Sequence, residues 1–198
     1  MSDLKSPFIY LSVAGIVVFF ALLLLRGAVQ PPSFTGAQID PPVPAADFTL
    51  TDQNGETFRL SDQRGKPALV FFGYTNCPDV CPITLANYKN IRSELGDQVN
   101  LIFVTVDPER DTQERIREHL SKFDPAIVGL TGSRLELEPV WKDYGVFQSS
   151  HHGVGVEHYD VDHSSRVYAI DGEGNWRLTF LIETDWQAIV KDVRQIMN

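Results

Sequence analysis

The chain has 198 residues, 43% of them hydrophobic and 22% charged, with a net charge of −9, a balance that suits one globular domain plus an appendage. The acidic excess excludes the basic footprint of a nucleic-acid-binding protein. Its two cysteines, Cys77 and Cys81, are too few to scaffold a disulfide-rich mini-protein, and their closeness marks a reactive pair instead.

Residues 6–25 carry no charge, and from Phe8 onward they are nearly all apolar, interrupted only by Tyr10, Ser12 and Gly15. That length matches a membrane-spanning helix. Leu22-Leu23-Leu24-Leu25-Arg26-Gly27 offers no small-x-small cleavage pattern, so the sequence predicts a retained anchor over 8–26 rather than a cleaved signal peptide. The leader is also too short and too poor in Arg for a mitochondrial transit peptide. Residues 1–7 then form a cytoplasmic leader, and the remainder lies outside a bacterial plasma membrane, in the periplasm, where thiols meet oxidants. Lys5 and Arg26 against Asp3 give the part through Arg26 a net +1, leaving −10 for the exported part.

Residues 27–46 hold Pro31, Pro32, Pro41, Pro42 and Pro44 with almost no periodic hydrophobicity, the composition of an extended spacer. Asn54-Gly55 between two short alternating runs predicts a β-hairpin, since both turn positions tolerate positive φ. A buried strand is expected at 68–72, then a turn holding both cysteines, and a helix from near Val80 to about Leu95 that Gly96 ends. The continuous apolar run at 100–106 suits a second strand covered on both faces. Asp111 or Thr112 caps the next helix, with Glu114 reaching back, and that helix runs to about Lys122. The strand-helix-strand-helix order predicts a right-handed crossover and a parallel strand pair.

A further helix is expected at 135–144, followed by a polar His- and Gly-rich segment at 148–158. Strands at 166–170 and 175–180 join through Asp171-Gly172-Glu173-Gly174, and Thr184 or Asp185 caps a last helix bearing Trp186, Ile189, Val190, Val193 and Ile196 at helical spacing. The predicted class is α/β: a thioredoxin-like domain over 47–198 with an N-terminal β-hairpin, preceded by one transmembrane helix.

With Pro82 in the first helical turn, where a missing N–H costs nothing, Cys77 and Cys81 sit at a helix N-terminus. Unpaired amides and the positive dipole end favour thiolate there. A spacing of four sets the two Cβ atoms about 5 to 6 Å apart if both residues are helical. One metal ion between the sulfurs and a disulfide closing over them are both open. By analogy of fold, residues before the penultimate strand lie beside this turn, which brings His163 of Val161-Asp162-His163-Ser164-Ser165 to the sulfurs. A Cys-Cys-His set suits copper, because thiolate selects Cu(I) and imidazole also accommodates Cu(II); zinc accepts the same donors with a fourth position open. The plainer reading of His163 is a strand-end histidine bonded to backbone.

Asp79 and Asp162 are candidates to orient the imidazole or control proton traffic, although Asp is a common turn residue at both places. His151, His152 and His158 read as a solvent-exposed loop cluster, and His119 as a helix-face residue with no function. Met1 and Met197 are the only methionines, which excludes a Met-rich copper site.

Three blocks resemble the Sco/SenC copper chaperones of cytochrome c oxidase assembly. They are Phe72-Gly73-Tyr74-Thr75-Asn76-Cys77-Pro78-Asp79-Val80-Cys81-Pro82, Val104-Thr105-Val106-Asp107-Pro108-Glu109-Arg110-Asp111-Thr112, and Val161-Asp162-His163-Ser164. They fall in the family's order, and the similarity covers roughly residues 40 to 196. The resemblance implies a membrane-tethered thioredoxin-like domain that binds one copper ion through Cys77, Cys81 and His163. It further implies delivery to, or thiol reduction of, the binuclear copper centre of oxidase subunit II, with a periplasmic copper donor and a thiol reductant as further partners. Three ligands on exposed turns would leave an edge for an incoming ligand, and binding requires both sulfurs reduced. The competing reading is a periplasmic thiol-disulfide oxidoreductase using Cys77 and Cys81 alone. Against it as the main role stands the spacing, three residues between the cysteines where such enzymes of this fold generally have two.

Overall fold

Residues 14–20, 33–150, 161–163 and 166–197 are described in this computed structural model of the chain, which divides into Met1–Ser33 and Phe34–Asn198. In the first unit, residues 14–20 form a helix, α1, with exposed side chains. Among the described residues no helix is long and apolar enough to cross a membrane. The rest of the stretch expected as an anchor, 8–13 and 21–26, lies outside them.

The second unit departs at once from the expected spacer, because Ala37–Pro44 is a strand, β1. It pairs antiparallel with β10 (Asn175–Leu181), Ala37 opposite Thr179 and Pro44 opposite Asn175, with a register shift between Gln38 and Val43. Proline cannot donate to a ladder, which confines such a strand to an edge. β1 is the outermost strand, and Pro41 and Pro42 fall within its register break.

The Asn54-Gly55 hairpin forms as expected between β2 (Thr49–Asp52) and β3 (Thr57–Arg59), with Gly55 at φ +87. β4 (Ala68–Gly73) and β5 (Asn100–Thr105) run parallel in unbroken register, Ala68 opposite Asn100 and Gly73 opposite Thr105. Every residue of β4 is buried, as the apolar run required. Between them crosses α2 (Val80–Leu95), ended at Gly96 with φ +56 and seated by its Tyr88 hydroxyl donating to the Leu69 carbonyl at 2.9 Å.

α3 (Gln113–Ser121) takes Thr112 as its cap, whose hydroxyl accepts the Arg115 N–H. It leads to β6 (Val128–Thr131), parallel to β5 and antiparallel to β2, a strand that sequence periodicity does not reveal. Four residues, one of them Gly129, give too little pattern. The glycine is there because a Cβ would stand 2.3 Å from Ile116 Cγ2 and 2.5 Å from Leu120 Cδ1 of α3.

α4 (Arg134–Asp143) opens with a capping box in which Ser133 N–H donates to the Glu136 carboxylate at 2.7 Å. Strands β7 (Gln148–Ser150) and β8 (Val161–His163) form a separate two-stranded sheet. β9 (Arg166–Ile170) pairs antiparallel with β4 and β10, and α5 (Trp186–Ile196), capped by Asp185, packs on α2. The large sheet therefore runs β1-β10-β9-β4-β5-β6-β2-β3, the mixed α/β arrangement of thioredoxin-like type. Its centre is β4 and β5, where Leu69, Phe71, Phe72, Leu101, Ile102 and Phe103 are fully buried, each worth about 1.5–3 kcal/mol of transfer free energy. The cysteine turn hangs from the carboxyl end of this rigid centre.

Candidate metal centre

The turn begins at Gly73, whose carbonyl accepts the Val106 N–H at 2.8 Å and so ties it to the chain leaving β5. No other residue fits there: a Cβ would lie 2.8 Å from Cys81 Sγ, 2.8 Å from Phe71 Cε1 and 3.0 Å from Phe103 Cε2. The backbone then reverses, with Cys77 N–H donating to the Tyr74 carbonyl at 3.2 Å. Asp79 occupies the N-cap of α2 but is exposed and makes no side-chain cap bond. The Cys81 N–H instead donates to Cys77 Sγ at 3.4 Å, so a sulfur takes one of the amide donors that a helix start leaves open.

No disulfide joins the two cysteines, and both are buried, Cys77 at 8% exposure and Cys81 at 0%. This corrects the expectation of ligands on exposed turns: only the Cys77 side of the pair meets solvent. At Cys81 the Cys77 hydrogen bond and burial also oppose the thiolate that a helix start favours. The hydrogen bond with Cys77, burial, and the Cys77 charge together push the Cys81 thiol far above its ordinary value. The pair is thus unequal, with an outer sulfur on the turn and an inner one fully buried.

The 107–112 segment holds the turn from behind. Asp111, 1% exposed, accepts the Thr75 N–H at 3.1 Å, the Thr75 hydroxyl at 2.6 Å and the Thr105 hydroxyl at 2.7 Å. Burial raises its pKa, the hydrogen bonds from Thr75 and Thr105 work against that rise, and the charge of Asp107 adds to it. From α3, Arg115 donates to Thr75 Oγ1 at 3.1 Å and to Asn76 Oδ1 at 2.5 Å. Arg110 pairs with buried Asp107 and lies 5.8 Å over the Tyr74 ring. The sequence showed this segment as a helix start and as one of the three family-like blocks, but nothing in it signalled that Asp111 turns inward to the cysteine turn.

His163 ends β8, its backbone opposite Gln148, and Asp162 stands opposite Ser149. The side chains of both, and the whole of His151, His152 and His158, lie outside the described residues. Among the described residues no three His, Cys, Asp or Glu side chains gather to hold a metal ion. A third donor beside the two sulfurs would come from outside that set, where the His163 ring lies. His119 rests half-buried on α3 with its ring 5.6 Å from Phe123, and burial followed by the Lys122 charge lowers its pKa, in keeping with a packing role.

Residues 37–198 match the SCO1/SenC family model. The chain belongs to the SCO1/SenC family. An SCO2-like protein of Rickettsia conorii is 35% identical over 152 residues, covering 75% of this chain and 74% of the relative. Among solved structures, Bradyrhizobium japonicum ScoI with copper bound matches with a TM-score of 0.71 at 35% identity over 78% of this chain and 99% of that one. Apo Sco1 from Thermus thermophilus matches with a TM-score of 0.76 at 33% identity, covering 83% and 98%. The SCO1/SenC match begins at β1, so the proline-bearing edge strand is part of the family domain.

Proposed function

We propose that this SCO1/SenC protein is a copper chaperone that binds one copper ion through Cys77, Cys81 and His163 and assists assembly of the binuclear copper centre of cytochrome c oxidase subunit II. The observation that carries it is the pair of free, buried cysteines, Cys77 on the turn and Cys81 in the first turn of α2, in a family whose Bradyrhizobium japonicum member is known with copper bound. Two thiolates select the soft Cu(I) ion, and an imidazole from β8 extends the site to Cu(II). Cys77 Sγ is the handover point, since the inner cysteine is fully buried while Cys77 keeps 8% exposure. Asp79 and Asp162 orient the His163 ring or move protons at the site. Copper arrives from a periplasmic donor, and a thiol reductant keeps the pair open. Residues 8–26 anchor the chain in the bacterial plasma membrane, with the domain in the periplasm.

The test is copper stoichiometry of the full chain in detergent, with and without reductant. One copper per chain in the reduced protein, none in the oxidised one, and affinity at least about tenfold weaker in His163→Ala are expected. Unchanged affinity in that variant removes His163 from the site.

A second reading, thiol-disulfide oxidoreductase, is favoured by the Cys81 N–H lying on Cys77 Sγ, the arrangement of a sulfur ready to attack. Rapid reduction of a disulfide substrate by metal-free protein, indifferent to His163, supports it over the chaperone.

A further inference from the structure

Thr75 stands two residues before Cys77 and is held through both its backbone and its side chain. Asp111 takes its N–H and its hydroxyl, and Arg115 donates to the same hydroxyl and to the Asn76 amide oxygen. Asp111 is itself fixed by the Thr105 hydroxyl of β5, and Thr131 of β6 donates to its carbonyl at 3.1 Å. The clamp therefore runs from the sheet centre through one buried carboxylate to the chain that carries Cys77. On the other side, Cys81 is set in α2, fully buried, with its sulfur beside Gly73.

Closing a disulfide brings Cys77 Sγ, which accepts the Cys81 N–H at 3.4 Å, to bonding distance of Cys81 Sγ in a specific geometry. Cys81 belongs to α2 and is fully buried, so the turn that carries Cys77 is the side that adjusts. We propose that Thr75 is a positioning residue: held by Asp111 and Arg115, it keeps the Cys77 turn in the open dithiol arrangement and resists disulfide closure. That this protects copper loading rests on the chaperone reading above; the effect on closure does not. In the closure step a small-molecule disulfide accepts the two electrons. Cys77 and Cys81 lose their protons and form one S–S bond, and the oxidant's S–S bond breaks to give two thiols.

The experiment equilibrates the metal-free full chain in detergent against reduced and oxidised glutathione and reads the dithiol-to-disulfide ratio. Thr75→Val keeps the shape but removes the hydroxyl, and Arg115→Gln loosens the clamp from the solvent side. Each is expected to shift the equilibrium toward disulfide, by about tenfold for Thr75→Val, which is about 30 mV for a two-electron couple. Thr75→Ser, which retains the hydroxyl, is expected to match wild type. A purely structural role would lower the melting temperature without moving this ratio. Should Thr75→Val not fold, Arg115→Gln decides alone. Ratios within twofold of wild type for the folded variants, or a Thr75→Ser shift as large as that of Thr75→Val, overturn the proposal. Copper stoichiometry is measured on the same samples: wild type without copper but with a shifted Thr75→Val ratio defeats only the chaperone reading. Copper bound with no shift defeats only the clamp.

Discussion

At Gly73 one missing methyl group decides the geometry of the pair. A side chain there would press on Cys81 Sγ from 2.8 Å, so Gly73→Ala is expected to destabilise the domain by about 1–3 kcal/mol, read by chemical denaturation; a loss within experimental error would show that the sulfur has room. Asp171 makes the opposite kind of point. Burial alone pushes its carboxyl up, but donation from the Asn175 N–H, Arg177, the Asn175 side chain and the Glu173 N–H outweighs it and holds the group below the usual carboxylate range. With the folded-state pKa lowered, the stabilisation is present above the unfolded value of about 4 and fades as pH falls through the folded one. Asp171→Asn should therefore cost about 1–3 kcal/mol at pH 7, with the gap to wild type narrowing in acid. An equal gap at both pH values contradicts the assignment. At this scale the sequence exposed the cysteine pair because its chemistry is rare. It hid Asp111 because an Asp before a helix reads as a cap, and only the sheet behind it shows the carboxylate serving Thr75.

Helices and central strands followed from periodicity, caps and apolar runs, since their signals are local: Gly55 and Gly96 take positive φ where the chain turns, and Thr112 and Asp185 cap where they stand. In the large sheet the two strands that were illegible, β1 and β6, owe their existence to partners elsewhere in the chain, as do β7 and β8 of the small sheet, which pair with each other where a polar loop was expected. β1 is fixed at its entrance by Asp192 of α5, whose buried carboxylate accepts the Thr35 N–H at 2.7 Å and the Gly36 N–H at 2.9 Å. A Cβ at Gly36 would meet Phe180 Cε1 at 2.6 Å, so the entrance is also sterically defined. Asp192→Ala leaves two amides without their acceptor, a cost of about 1–3 kcal/mol. The effect is expected first in β1, as faster amide hydrogen exchange over Ala37–Pro44 with β4 and β5 unchanged. Uniform acceleration across the sheet would mean that β1 is no separate unit of stability.

For the whole molecule, residues 27–198 carry a net −10, a charge that is repelled by anionic lipid and steered toward a partner with a basic patch. Association with an oxidase copper fragment is accordingly expected to slow as salt rises, and a salt-independent rate counts against steering. The domain was legible as a whole because its sheet centre, its crossover and its three sequence blocks all agree. The proposed meeting of cysteine pair and histidine, by contrast, has no local signal in the sequence and rests on analogy of fold. The most direct measurement is X-ray absorption at the copper edge of the copper-loaded full chain, wild type beside His163→Ala. Two sulfur neighbours with one nitrogen in the wild type, and loss of that nitrogen in the variant, are predicted. A wild-type copper without nitrogen, or a spectrum that the substitution leaves unchanged, would contradict the Cys77–Cys81–His163 centre.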